Sequence, residues 1–329
     1  MKYSLIFPGQ ASQFVGMGSD LVERWPEAAR IYDIAESTAG IPVEKLCFKG
    51  PEEELVRTSN LQPCVVATSL AILAAAYSEA NLNVGDRFTG VPFPPFAVAG
   101  HSVGEYSALA AAGVITISTC LSLVAERGRL MQGASDSNPG TMLALLGGTS
   151  DSAEELCSAI KLKVSGSYLQ VANLNSPGET VIAGDLPGIE LARRLASEYG
   201  FRRAIPLSVS GAFHSPAMAP AAHGLRRIML EAVFFEPVVP IVANIDAAMK
   251  SDVCAVRKEL AEQIISPVCW AESMATISAT GVTRFYEVGP GQVLSRLARR
   301  IVPDACCEAV GTAEAVPKLA ASLIGLGVD

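Results

Sequence analysis

The chain has 329 residues, of which 50% are hydrophobic and 18% charged, enough apolar material for one large domain or two smaller ones. A net charge of −8 argues against general nucleic-acid binding, and eight dispersed cysteines with no C-x-x-C pair and only three histidines argue against a metal site. The same cysteine usage fits a reducing, cytoplasmic setting; the short apolar start Met1–Pro8 lacks the form of a signal peptide, and no apolar run reaches about 18 residues, so no membrane span is expected.

In chain order, Leu5-Ile6-Phe7 reads as a brief buried strand that ends in the polar loop Pro8-Gly9-Gln10-Ala11-Ser12-Gln13. That loop is open to two readings, a helix N-cap by Ser12 or a loop whose amides and glutamines line a pocket. Helices are predicted at Asp20 to Glu36 and, past Leu61-Gln62-Pro63, at Cys64 to Ala80, with Val65 to Ala76 as a core helix. Asn81 to Pro95 reads as a loop rich in Gly and Pro.

Phe96 to Ala99 is then an apolar strand, Gly100-His101-Ser102-Val103-Gly104 is G-x-S-x-G, and Tyr106 to Ala112 is an alanine-rich helix closed by Gly113. Strand, sharp turn and helix are the setting in which this pattern marks a nucleophile elbow. The two glycines let strand and helix approach while Ser102 projects, and the amides at the helix start face whatever bonds to it. A helix over Thr119 to Gln132 follows and carries Arg127, which on its own would be an ordinary solvated arginine.

Composition shifts at Asn138-Pro139-Gly140. Beyond it the pattern is strand (Thr141 to Leu146), helix (Ser150 to Ile160), two strands (Tyr168 to Asn173 and Glu179 to Ala183), helix (Leu186 to Tyr199) and strand (Arg203 to Leu207). That β-α-β-β-α-β order is the ferredoxin-like arrangement, and it reads as a small domain at 138–207 inserted into a larger one formed by 1–137 and 208–329. His214 follows in a loop of small residues between Gly211 and Pro216. With His101 inside the elbow and His223 on an exposed helix, it is the one good candidate for a base to Ser102. Strands at Pro240 to Asn244 and Arg284 to Val288, alternating with helices, imply a mainly parallel sheet covered on both faces.

Seven pieces together resemble the malonyl-CoA:acyl carrier protein transacylases and the acyltransferase domains of polyketide synthases. They are Phe7-Pro8-Gly9-Gln10-Ala11-Ser12-Gln13, Gly100 to Glu105, Arg127, Asn173-Leu174-Asn175-Ser176-Pro177, Gly211-Ala212-Phe213-His214-Ser215, Gln263 with Pro267-Val268, and Gly289-Pro290-Gly291. They run in family order from residue 7 to about 300. The resemblance implies an α/β-hydrolase-like large domain and acyl transfer through a seryl ester on Ser102, with His214 as general base. Gln263 would orient that base through its backbone carbonyl, and the amides of Gln10 and Val103 would form the oxyanion hole. Arg127 would hold the free carboxylate of the acyl group, and Phe213 would exclude a methyl branch.

The partners so implied are a coenzyme A thioester and an acyl carrier protein, with no metal or permanent cofactor; charge and apolar run length point to no nucleic-acid or membrane partner, and a monomer is expected although the sequence does not read out oligomeric state. Three departures stand out: Ala11 where the family usually has Gly, Cys269 where a basic residue is usual, and Arg296 where Gly is common. A thioesterase or editing hydrolase on the same elbow, and a non-catalytic scaffold of the same fold, are the rival readings.

Overall fold

The structure is a computed structural model and describes residues 2–326. Among the described residues ten strands form two sheets: β1 (Tyr3–Phe7), β2 (Val98–Gly100), β3 (Gly140–Leu146), β4 (Leu169–Ser176), β5 (Glu179–Asp185), β6 (Arg203–Pro206), β7 (Ile241–Val242), β8 (Met249–Lys250), β9 (Arg284–Val288) and β10 (Cys306–Val310). The large sheet has the order β10-β9-β1-β2-β7-β8, parallel throughout except for β8 at one edge. Every residue of β1 and β2 is buried, as expected of strands covered by helices on both faces.

The helix Thr58–Glu79 is the centre of the main core. It is long and apolar enough to cross a membrane by length and composition, yet 94% of its most apolar window is buried inside the protein, packed against Pro26–Ala39 and Ile117–Ser137. It starts six residues before the predicted Cys64, because Pro63 is accommodated in its second turn at the cost of one backbone bond. The single helix predicted from Asp20 to Glu36 is instead two, Ser19–Val22 and Pro26–Ala39. Pro26 opens the second, and Trp25 before it is extended, as the residue preceding a proline prefers. Ser12 caps no helix; its hydroxyl donates to the Gly9 carbonyl at 2.6 Å, which closes the loop after β1 on itself.

β3 to β6 form the second sheet, antiparallel, in the order β4-β5-β3-β6 with the helices Ser150–Lys163 and Leu186–Leu195 on one face, so the β-α-β-β-α-β order is present. The period of two decides what each face does. Leu143, Leu145 and Ile182 point to those helices, while Met142, Ala144 and Val181 point to the main body and wall the cleft at the carboxyl ends of β1 and β2.

Candidate active site

The site sits where the central strands of the large sheet end, the usual position for a ligand in an open parallel sheet. The turn after β2 carries Ser102 at φ 51°, left-handed and strained for a residue with a side chain. Space explains the glycines around it: a Cβ on Gly100 would lie 2.1 Å from the Gly104 backbone, and one on Gly104 would lie 2.2 Å from the Phe7 carbonyl. The helix Gly104–Ala111 follows at once, so the elbow is present.

Ser102 Oγ and His214 Nε2 are 2.7 Å apart. His214 Nδ1 lies 3.0 Å from the Gln263 carbonyl and 3.1 Å from that of Ser266. Carbonyls only accept, so Nδ1 carries the hydrogen, and Nε2 is left to accept from the Ser102 hydroxyl. The imidazole is 3% exposed. Burial, reinforced by the Arg127 charge, pushes its pKa down to about 3, so it is neutral and basic in geometry at physiological pH.

Arg127 is buried as well, 1% exposed. One terminal nitrogen donates to Gln62 Oε1 at 2.7 Å; the other donates to Gln263 Oε1 at 2.9 Å and to Ser102 Oγ at 3.3 Å. All three acceptors are neutral, and among the described residues its buried Nε has no partner. A desolvated cation without an anion beside it is costly unless a ligand supplies the charge. Its burial lowers its pKa, while Tyr106 and the buried acids Glu105 and Glu259 work the other way.

Gln263 is the hub. Besides the carbonyl it offers His214, its Nε2 donates to the Ser102 carbonyl at 2.9 Å and to Glu105 Oε2. Glu105, on the elbow helix, and Glu259, one turn before Gln263, are 1% and 3% exposed. Burial and the neighbouring acid Glu259 hold Glu105 well above the usual carboxylate range, and burial raises Glu259 to about 7. Asn244, after β7, completes the underside: its Oδ1 accepts from the Ser102 amide at 2.8 Å and its Nδ2 donates to the Gly100 carbonyl at 2.7 Å.

These groups open into a cleft of about 210 Å3 whose lining includes Gln10, Ser102, Val103, Arg127, Phe213 and His214. Among the described residues the amides of Gln10 and Val103 have no hydrogen-bond acceptor. Across the mouth, His101 Nε2 lies 2.9 Å from Asn175 Oδ1, Asn175 donates to Glu179 at 3.2 Å, and Arg300 pairs with Glu179 at 2.8 Å. No group of His, Cys, Asp and Glu among the described residues could hold a metal ion.

The model of the acyl transferase domain family matches residues 4–322, nearly the whole chain. This chain belongs to that family. It is 40% identical over 300 residues to the malonyl CoA-acyl carrier protein transacylase of Bacillus subtilis, which covers 91% of this chain and 90% of the relative. It is 35% identical to the Escherichia coli K12 protein of the same description, over 96% and 97% of the two chains. Among solved structures, an acyl-carrier-protein-S-malonyltransferase from Bartonella henselae superposes with a TM-score of 0.91 at 36% identity, covering 99% of this chain and 100% of that one. A malonyl-transacylase in complex with a type II PKS acyl-carrier protein gives 0.88 at 34% identity, covering 97% and 99%.

All seven residues singled out in the sequence meet at this one place. Five others were missed: Gln62, Glu105, Asn244, Glu259 and Gln170, whose side-chain amide donates to the His214 carbonyl. Glu105 carried a faint signal, a lone acid in an alanine-rich helix, and Glu259 stands four residues before Gln263, on the same helical face. Of the three departures, Ala11 is the one with a visible consequence, since it stands at φ 76°, a glycine conformation. Cys269 begins the helix Trp270–Ser278 and Arg296 is exposed on Val293–Ile301; neither lines the cleft.

Proposed function

We propose that this chain moves a malonyl group from malonyl-CoA to Ser102 and on to the phosphopantetheine thiol of an acyl carrier protein, in fatty-acid or polyketide synthesis, by a ping-pong route. The observation that carries the reading is Arg127, a buried cation bonded only to neutral oxygens and within reach of Ser102 Oγ. It suits an acyl group with a free carboxylate, and the printed names of the relatives fit the same chemistry.

In the first half-reaction Ser102 Oγ attacks the thioester carbonyl and its proton passes to His214 Nε2. The oxyanion is held by the Gln10 and Val103 amides. The C–S bond breaks, and His214 returns the proton to the departing thiolate. The carrier thiol then repeats the sequence in reverse, giving its proton to His214 and releasing Ser102. The carbonyls of Gln263 and Ser266 do the orienting that an aspartate does in a triad. Phe213, buried against the cleft, would crowd a branched α-carbon.

The residues 1–137 and 208–329 would form an α/β-hydrolase-like catalytic domain, with 138–207 as a ferredoxin-like insert over the serine. The carrier, acidic in this family, would be repelled at long range by the chain's own −8 charge and so needs a local basic patch, for which the exposed Arg202, Arg203, Arg296, Arg299 and Arg300 are the candidates. No resident cofactor enters this route, a monomer suffices for it, and eight free thiols suit the cytoplasm. A hydrolase on the same elbow would have no use for a buried Arg127.

The test is malonyl-CoA without acceptor, read by mass spectrometry. One malonyl group on Ser102, absent in Ser102→Ala and discharged faster by carrier protein than by water, is the expected result. Label on a cysteine, or hydrolysis outrunning transfer, overturns the reading.

A further inference from the structure

β4 does more than wall the cleft. From its second residue, Gln170, the side-chain Nε2 donates to the main-chain carbonyl of His214 at 2.5 Å and to that of Ile265 at 3.3 Å. These carbonyls belong to two separate segments of the large unit, the loop around His214 and the turn after the helix Val253–Gln263. Further along β4, the backbone grips the second segment: Leu174 N donates to Val268 O, and Val268 N to Ala172 O, each at 2.9 Å. Ile265 lies between Gln263 and Ser266, whose carbonyls hold His214 Nδ1.

His214 stands at φ 56°. A residue with a side chain holds that conformation only when its surroundings impose it. Both neighbours of the Gln170 amide nitrogen are acceptors, so its two hydrogens are both engaged, and the side chain ties the strained residue to the segment that orients its ring.

We infer that Gln170 is a positioning residue for His214, the clamp by which the small sheet fixes the imidazole between two carbonyls and against Ser102. The inference rests on the reading of His214 as the base.

Two variants test it by single-turnover malonylation, beside the wild type and His214→Ala. Gln170→Leu is of similar length and donates nothing. Its acylation rate constant should fall about 10- to 100-fold, the usual range for losing an orienting partner, with the half-saturating malonyl-CoA concentration within about twofold of wild type. Gln170→Glu has the same shape but sets a carboxylate against two carbonyl oxygens. It should lose as much at about pH 8 and recover severalfold near pH 5, where a protonated carboxyl donates again. The wild type read over the same range, with His214 held below its ordinary value by burial, separates any titration of the base from that of position 170. A packing role would be met by the Leu side chain with no loss of rate, and the Glu variant still bears on the clamp if Gln170→Leu does not fold. Rates within twofold of wild type in Gln170→Leu, or a loss in Gln170→Glu that ignores pH, overturn the clamp alone. Undiminished acylation in His214→Ala overturns the base assignment and the clamp together.

Discussion

The turn that carries Ser102 and the loop that carries His214 both hold a residue with a side chain at positive φ, 51° and 56°, but by different means. The Ser102 turn is mostly local: β2, two glycines with no room for a Cβ, and a helix that begins two residues later. The His214 loop has one internal brace, the Ser215 hydroxyl on the Ala212 carbonyl. Its longer-range holds come from residues 58, 102, 170, 263 and 266. Sterics do most of the fixing in the first turn, with Asn244 and Gln263 bonding the Ser102 amide and carbonyl, whereas the second depends on hydrogen bonds from afar. The two should therefore fail differently.

The largest effect is expected in the elbow. Gly104→Ala would place a Cβ 2.2 Å from the Phe7 carbonyl and 2.7 Å from that of Pro8, both backbone atoms in or beside a central strand. We expect a loss of about 4 kcal/mol or more, read as failure to fold or a thermal midpoint lower by about 10 °C. His214→Ala should by contrast fold with a midpoint close to wild type while losing acylation. Equal midpoints for the two variants would erase the distinction.

Arg127 touches both halves, through Ser102 Oγ and Gln263 Oε1. Arg127→Ala should cut malonyl transfer at least tenfold, since loss of a buried charge-assisted pair costs about 2–5 kcal/mol. Transfer from acetyl-CoA, which brings no carboxylate, should fall less. Parallel losses with both thioesters would make Arg127 a structural link between the halves and nothing more.

Beneath them lies the Glu105–Glu259 pair, one acid from the elbow helix and one from the helix that ends in Gln263. Glu259 is raised from 4.5 to about 7 in the folded protein. The folded state thus keeps its proton over a range in which the unfolded chain gives it up. That contribution to stability is complete below about pH 4.5 and is lost as pH rises through 7. Glu259→Gln does not titrate, so the midpoint of the wild type relative to the variant should be higher at pH 5 than at pH 8, a change of order 3 kcal/mol. A difference independent of pH would mean that Glu259 is ionised throughout. His214 works in the opposite sense: its depressed pKa costs stability as pH falls from 6.5 toward 3.

The smallest effect is at Ala11, a third strained position at φ 76°, on the loop that carries Gln10. The left-handed conformation costs a side-chain-bearing residue about 1–2 kcal/mol, part of which glycine returns as unfolded-state entropy. Ala11→Gly should gain roughly 0.5 kcal/mol and leave acylation within about twofold. A loss of stability would show that the Ala11 methyl packs usefully.

The amino-acid sequence by itself determined the elements whose causes lie within a dozen or so residues. The elbow followed from Gly100 and Gly104 flanking a serine between an apolar strand and an alanine-rich helix. The strands and helices of 140–206 were legible as a β-α-β-β-α-β order beginning at the composition shift at Asn138-Pro139-Gly140. Where local signals conflicted, tertiary packing decided: the helix Thr58–Glu79 runs through Pro63 because burial on every side outweighs one lost backbone bond. Only the tertiary structure brought Gln170 to His214, Asn244 to Gly100, and Glu105 beside Glu259. The physical reason is that apolar side chains betray their burial through periodicity, which neighbours in sequence share. A lone buried Gln, Asn or Glu is made tolerable by one partner, here 44 residues away for Gln170 and 144 for Asn244, and nothing adjacent in the chain records where that partner will be.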